Sequence, residues 1–216
     1  MAIDPSKFHL VNVADTCSVW NILSSARLHS AAKDARCDFY ITSFVRYECL
    51  VKPRRAPTTA DLELRRRLVT HQRNGSFKVH SCSIDDLQDV KVLESRKRLG
   101  MGELSSIAFA MKIAQAVITD DQKARKLAQA AGHPLIQTTP HLFSWLIFTG
   151  KLGDSDHAVV VDQHIALEGD LAPHLRDAYH LALQCRLNAR TSSPLPSGVP
   201  VFATPPAPSS GNTRAP

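Results

Sequence analysis

Acidic residues beside short apolar runs are the side chains of this sequence whose positions could do chemistry. They are Asp15, Glu48, Glu103, Asp120 and Asp121. Asp15 and the two adjacent aspartates each follow a short apolar run directly. Glu48 lies in a helical stretch after another such run, and Glu103 opens a stretch of mostly small or apolar residues. A solvated surface charge is therefore not the automatic explanation for any of them.

Each acid also has an ordinary structural explanation, which the sequence leaves open. Asp15 could cap a helix that begins at the next residue, and either Asp120 or Asp121 is a good N-cap for the helix after them. Glu48 could be an exposed helical residue, and Glu103 lies in a first helical turn, where the helix dipole favours an acid. These explanations account less well for the joint occurrence, because acids near several strand ends could converge at one end of one sheet.

Converging carboxylates predict a site for a divalent metal ion. Unpaired carboxylates in one pocket repel each other, and a hard cation that prefers oxygen ligands relieves that repulsion. Mg²⁺ or Mn²⁺ fits, because such an ion accepts few carboxylates and keeps several waters. A bound metal lowers the pKa of water, orients it and stabilises charge on a phosphoryl group, which is the chemistry of phosphodiester hydrolysis.

The elements that must position these acids alternate between strands and helices. Strands are predicted at residues 9–14, 38–42, 77–80, 116–119 and 134–137, and helices at residues 16–27, 43–51, 60–73, 83–99, 103–114, 121–131 and 139–149. Such alternation indicates an α/β fold, with a mainly parallel sheet flanked by helices. Ligand sites of open parallel sheets lie outside the carboxyl ends of the strands, which is where the acids are expected.

The alternation weakens after residue 152. Residues 158–162 (AVVVD) could form an edge strand, and residues 170–190 predict one amphipathic helix that packs on the core or on a partner. Seven of the thirteen prolines follow residue 191, and that composition is typical of disorder. The predicted organisation is a nuclease-like domain at residues 1–150, an appended element at residues 151–190 and a disordered tail at residues 191–216.

Composition narrows the partners and the compartment. The net charge of +6 and the pI near 9.2 favour a polyanionic partner such as RNA. No apolar stretch approaches the roughly 20 residues of a membrane span, and no signal peptide is recognisable. The five cysteines include no C-x-x-C pair, so a cytoplasmic location without disulfides is expected.

Four short motifs resemble those of the PIN-domain family. They are the opening D-T-x-S-v at residues 13–20, t-s-x-v-x-x-E at residues 42–48, G-E-x-x-x-I-A-x-A at residues 102–110, and v-i-T-D-D-x-x-A-R-x-L-A at residues 117–128. Each motif is short, but the four occur in the family's order with suitable intervals. The resemblance runs from about residue 9 to about residue 150.

This resemblance implies a three-layer α/β/α sandwich and metal-dependent cleavage of RNA, with Mg²⁺ or Mn²⁺ as cofactor. It makes Asp15, Glu48, Glu103 and Asp121 the catalytic and metal-binding carboxylates, with Asp120 as the competing choice at the fourth position. Thr119 and Ser18 would be supporting hydroxyls. At the third motif many members carry Asp where this chain has Glu103, which is one methylene longer. Some relatives are toxins of toxin–antitoxin pairs, and PIN relatives are often dimers, so the resemblance also implies an antitoxin or other protein partner and a homodimer.

Two other functions compete with the nuclease. A non-catalytic PIN-like module that binds protein or RNA would suit the extra C-terminal helix and the proline-rich tail. A phosphatase with Asp15 as nucleophile, as in haloacid-dehalogenase-like enzymes, would require a second aspartate two residues later, and Cys17 occupies that position. A P-loop enzyme is excluded because the sequence contains no G-x-x-x-x-G-K-[ST].

Overall fold

A five-stranded, entirely parallel sheet organises the chain in the computed structural model, which describes residues 3–52, 56–81 and 100–191. The strands are β1 (Val11–Ala14), β2 (Asp38–Thr42), β3 (Lys78–His80), β4 (Ala116–Ile118) and β5 (Ile136–Gln137). The helices are α1 (Thr16–Ser24), α2 (Ala26–Asp34), α3 (Ser43–Leu50), α4 (Thr59–Arg73), α5 (Met101–Lys112), α6 (Gln122–Ala130), α7 (Thr139–Phe148), α8 (Asp154–Ala166) and α9 (Ala172–Thr191). The helix predicted at residues 83–99 and the tail after residue 191 lie outside the described residues.

The strand order β3-β2-β1-β4-β5 determines where a ligand site can form. The chain moves outward from β1 through β2 to β3, then returns to add β4 on the other side of β1. Val13 is in register with both Tyr40 of β2 and Val117 of β4. The order therefore reverses between β1 and β4, and the carboxyl ends of these two strands border the crevice where open α/β sheets bind ligands.

Successive side chains along each strand pack in two separate cores, one on each face of the sheet. Val13 and Val117 pack against α5 and α6 on one face of the sheet. Their neighbours Ala14 and Ile118 belong to the larger core on the other face, which includes α1, α2, α4, α7, α8 and α9. This two-residue period is the geometry of a strand buried on both sides. The three-layer α/β/α architecture predicted from the sequence is confirmed.

The helix predicted at residues 16–27 is two helices. Ser25 has an extended backbone, ends α1 and begins α2, and its hydroxyl accepts a hydrogen bond from the backbone N–H of Leu28. This N-cap satisfies a backbone donor at the start of α2 and lets the chain change direction. The prediction was wrong here because the apolar spacing of the two segments runs across the break.

The edge strand predicted at residues 158–162 is wrong, because these residues lie inside α8. Asp156 accepts a hydrogen bond from the backbone N–H of Gly153, which closes the first turn of the helix. Val160 and Val161 are both buried, whereas Val159 is 42% exposed. Two adjacent buried residues are a helical pattern, so packing against the core overrides the strand preference of three consecutive valines.

The last helix forms as predicted and packs on the larger core. Leu175, Ala178 and Ala182 are buried at intervals of three and four residues along α9. The apolar residues of α7, including Phe143 and Leu146, are also core residues. Among the described residues, no helix is both long and apolar enough to cross a membrane.

Candidate active site

Asp15 lies where β1 ends and α1 begins, and it is almost fully buried. Its Oδ1 accepts a hydrogen bond from the backbone N–H of Ser18 at 2.8 Å, so it is the N-cap of α1 as one alternative had it. Its Oδ2 accepts a second bond from the hydroxyl of Thr119 at 2.5 Å. Burial raises the pKa of Asp15 to about 7 against the pull of these two bonds, and the charge of Asp120 adds to the rise.

Asp120 is held by donors from two separate helices. Its Oδ1 accepts from the backbone N–H of Thr139 at 2.8 Å, and its Oδ2 accepts from the Thr139 hydroxyl at 2.6 Å. The Oδ2 atom also accepts from Asn21 Nδ2 at 2.9 Å and from the Ser18 hydroxyl at 3.3 Å. Asp120 thus joins the end of β4 to α1 and α7, with both carboxylate oxygens in use.

Asp121 does a different job from its neighbour. Its Oδ1 accepts from the backbone N–H groups of Lys123 and Ala124, at 2.5 and 2.9 Å, and so caps α6. Its Oδ2 has no hydrogen bond to another residue in the described ranges. The N-cap predicted for one of the two aspartates is therefore Asp121, which keeps one oxygen available to a ligand.

Glu48 reaches the site from the second turn of α3. It is 8% exposed, and its Oε2 accepts a hydrogen bond from the hydroxyl of Thr16 at 2.8 Å. Lys52, one turn later, places its ammonium 3.7 Å from Glu48 Oε1. Glu48 is thus next to the residue that follows Asp15, and the alternative of an exposed helical residue is excluded.

Glu103 approaches Glu48 from the first turn of α5. A methyl group at Gly100 would stand 2.5 Å from Glu103 Oε2 and 3.5 Å from Glu48 Oε1, so the two oxygens lie within about 6 Å of each other. Gly102 faces the Glu48 carboxylate as well. Glu103 Oε2 is buried and has no hydrogen-bond partner among the described residues. A buried acceptor without a donor is costly, which makes this oxygen ready to accept a ligand.

Cys17 lies near four of the five acids. Loss of water around its thiol raises the pKa to about 12, and the charges of Asp15, Glu103, Asp120 and Asp121 add to the rise. The residue keeps exposed surface and directly follows Thr16, the partner of Glu48. Four acids are thus close enough to one residue to affect its ionisation. The fifth, Glu48, adjoins Glu103.

Several polar residues of this cluster were not expected from the sequence. Asn21 and Thr139 hold Asp120, and Thr16 holds Glu48. One signal could have found Asn21, because it lies one helical turn after Ser18, which was proposed as a supporting hydroxyl. Thr139 also follows a strand end, as the acids do, but nothing in its type sets it apart from other helix-starting threonines.

The oxygen atoms of these carboxylates are ligands that a hard cation prefers, but the side chains are not arranged around a common point. The cluster offers carboxylate oxygens, one of them Oε2 of Glu103, to which no described residue donates. Within residues 3–52, 56–81 and 100–191, no group of three or more Asp, Glu, His or Cys side chains is arranged to hold a metal ion. The cause is visible at Asp15 and Asp120, whose oxygens are turned to protein donors.

A family comparison agrees with this geometry. The model of a family described as a PIN domain matches residues 11–140, and the chain belongs to that family. PIN domains are generally nucleases, typically use divalent metal ions and, as nucleases, act on RNA. Among curated proteins no significant relative is found. The matched residues include all five acids, whereas α8 and α9 lie beyond them.

Proposed function

We propose that this chain is a divalent-metal-dependent endoribonuclease. The observation that supports it is the approach of the five acids at the crevice between β1 and β4, where Glu103 Oε2 is buried with no hydrogen-bond partner among the residues that the structure describes. Structural carboxylates are normally satisfied by donors, so an unpartnered oxygen in an acidic pit favours a cation site.

The residues divide into those that would hold the ion and those that position them. Asp15, Glu48 and Glu103 would hold it together with Asp121, whose Oδ2 is not engaged by a described residue. Asp120 is the less suitable fourth acid, because its two oxygens already accept four hydrogen bonds, twice as many as those of Asp15. When bound, the ion supplies an activated water and neutralises charge on the scissile phosphate.

The chain's own residues shape the rest of the site. Thr119 and the backbone N–H of Ser18 fix the Asp15 carboxylate, while Thr16 fixes that of Glu48. Lys52 lies at the edge of the acidic site, where its ion pair with Glu48 holds it. Its side chain is exposed enough to contact a phosphate of the RNA.

The test is cleavage of a labelled, unpaired RNA in Mg²⁺ by the wild type, Glu103→Gln and Asp15→Asn. We expect each substitution to lower the rate at least about 100-fold, because each removes a charged oxygen at the centre of the site. Asp162→Asn makes the same charge change at an exposed position of α8 and should cleave at the wild-type rate. Circular dichroism verifies that the variants are folded. Wild-type activity in folded Glu103→Gln would end the proposal.

A non-catalytic PIN-like binding module is the second candidate. It is favoured by the hydrogen bonds that already occupy the oxygens of Asp15 and Asp120. Calorimetric titration with Mn²⁺ separates the two functions. The nuclease predicts one saturable site that Glu103→Gln weakens, whereas the module predicts no saturable binding. The roles of an antitoxin and of a homodimer stay predictions from the resemblance, and growth arrest by the wild type but not by Glu103→Gln would support a toxin.

A further inference from the structure

A cleft of about 540 Å³ adjoins the acidic site and is not explained by it. It shares Asp120 with the site and extends along β5, with the residues before β1 at its other end. The outer wall is α9, which contributes His174, Asp177 and Leu181. A volume of this size is within the range of sites for small organic molecules, about 300–1,000 Å³.

The walls of the cleft combine apolar surface with a few polar groups. Its apolar lining includes Ile136 of β5 and, from the start and middle of the last helical segment, Leu171 and Leu181. His174 and Asp177 are exposed on α9, one turn apart. Neither side chain has a hydrogen bond or ion pair with another residue in the described part of the chain. They are therefore available to donate to and accept from a ligand between the walls.

Arg125 connects this cleft with the acidic site. Its Nη1 donates to the backbone carbonyl oxygens of Thr119 and Asp120, at 3.3 and 2.7 Å, which fixes the guanidinium beside the crevice. Within the described ranges it forms no ion pair with a carboxylate. An RNA chain with its scissile phosphate at the acids would thus have a second phosphate near Arg125 and the next base near the cleft.

The lining of the cleft carries more acidic than basic side chains. Asp4, Asp120 and Asp177 outnumber Lys7 and Arg125, and Lys7 is already paired with Asp4. Away from Arg125, this lining favours an uncharged group over a second phosphate. A nucleobase is flat, uncharged and apolar on its faces, with donors and acceptors at its edge. Proteins that read unpaired RNA place such bases on flat side chains and bond their edges.

We propose that this cleft binds an unpaired base of the RNA next to the cleaved bond, and that His174 and Asp177 determine which base is accepted. The inference deepens the proposed nuclease function and rests on it for the position of the base. It concerns a property of this chain, because α9 lies outside the residues that match the PIN domain family model.

The first experiment needs no cleavage. Each of the four ribonucleoside monophosphates is titrated into the wild-type protein in EDTA while the imidazole signals of His174 are followed by NMR. We expect saturable shifts with one or two of the four, and no shift with inorganic phosphate. In His174→Ala, followed through backbone signals of α9, and in Asp177→Asn, affinity for the preferred nucleotide should fall at least about fivefold, as expected for loss of one hydrogen bond to the base edge.

Matched controls are available on the same surface. His180→Ala removes an exposed imidazole of α9, and Asp162→Asn removes an exposed carboxylate of α8, and neither residue lines the cleft. Both should bind nucleotides as the wild type does. The proposal is overturned if no nucleotide shifts His174, or if the cleft variants bind as tightly as the controls.

The second experiment separates this inference from the nuclease proposal. Unpaired RNAs that differ in one base beside the cleaved bond are digested in Mg²⁺, and kcat/KM is compared among the four bases. The cleft variants should lose the base preference, whereas the controls His180→Ala and Asp162→Asn should keep it and cleave every RNA within about twofold of the wild-type rate. If the cleft variants keep the base preference, the proposal that the cleft recognises a base is wrong, while the nuclease proposal is unaffected. Equal cleavage by the wild type and Glu103→Gln overturns the nuclease, while nucleotide binding at His174 is judged independently.

Discussion

Thr119 donates a hydrogen bond from its hydroxyl to Oδ2 of Asp15 at 2.5 Å, across the carboxyl ends of β4 and β1. This bond opposes the effect of burial, because a donor stabilises the ionised carboxylate while the loss of water destabilises it. The balance raises the pKa of Asp15 to about 7. The residue at the centre of the proposed site is thus held close to the point where it changes charge at neutral pH.

Replacement of Thr119 by valine should raise the pKa of Asp15 above about 7 in the metal-free protein. Valine keeps the branched shape but removes the donor that favours the carboxylate. The variant should also lose about 1–3 kcal/mol of stability, because Oδ2 of a buried acid is left without its partner. Carboxyl-carbon NMR measures the pKa directly. Thr149→Val, at an exposed hydroxyl, is the control, and equal Asp15 titration in all three proteins would contradict the prediction.

Asp15→Asn should stabilise the metal-free protein at pH 8. The folded wild type binds a proton at Asp15 below about pH 7, whereas the unfolded chain binds it only near the model value of 3.8. Stability of the wild type therefore falls as pH rises from about 4 to about 7, and the Asp15→Asn variant escapes this loss because its amide does not titrate. Asparagine also remains a good N-cap for α1.

We expect a gain of about 2 kcal/mol or more at pH 8, since each unit of pKa corresponds to about 1.4 kcal/mol, and no gain at pH 4. Urea denaturation in EDTA at several pH values measures it, with Asp162→Asn as the control. A gain that does not shrink as the pH falls would show that the buried charge is not its source.

His164 should make the fold sensitive to acid. Its Nε2 accepts from the backbone N–H of Leu171 at 2.9 Å, so the neutral ring carries its proton on Nδ1, which lies 2.6 Å from the Ser24 hydroxyl. Burial lowers the pKa of His164. The unfolded chain therefore takes up a proton below about pH 6.5 that the folded protein resists, and stability is lost as the pH falls through that value.

His164→Ala tests this role. The substitution should cost about 2–4 kcal/mol at pH 7.5, because it leaves a cavity and two unpartnered groups among α1, α8 and the start of α9. It should also flatten the fall in stability between pH 6.5 and 5. His180→Ala, at an exposed site, should change neither quantity. A variant as steep in its acid dependence as the wild type would assign that dependence to other groups.

Two alanine substitutions, one at a buried and one at an exposed valine, test whether the three valines of α8 lie in a helix. Val160→Ala should destabilise the protein by about 1–2.5 kcal/mol, since it removes two buried carbons from the core. Val159→Ala should be neutral or slightly stabilising, because Val159 is partly exposed and alanine is the better helix former. Thermal unfolding compares the two. Equal losses at both positions would contradict the burial pattern of the helix.

The positions of the acids relative to the strands could be predicted from the sequence because they depend on local patterns. Apolar runs mark the strands, and parallel strands bring their carboxyl ends to one edge, so Asp15 and the two aspartates after β4 had to meet there. The distinction between Asp120 and Asp121 could not be predicted. Asn21 and Thr139 bind Asp120, and they lie about a hundred and about twenty residues from it in the chain. Asp121 instead caps the helix that follows it.

The sequence alone determined the alternation of strands and helices, the family motifs and the acids that they carry, because each of these depends on neighbours within a few residues. Only the tertiary structure decided that Val160 and Val161 lie in a helix, since burial against a distant core outweighed a local strand preference. It also decided that α9 returns to the sheet and forms a cleft beside Asp120. Contacts between segments far apart in the chain leave no periodic trace in the sequence, and both results depend on such contacts.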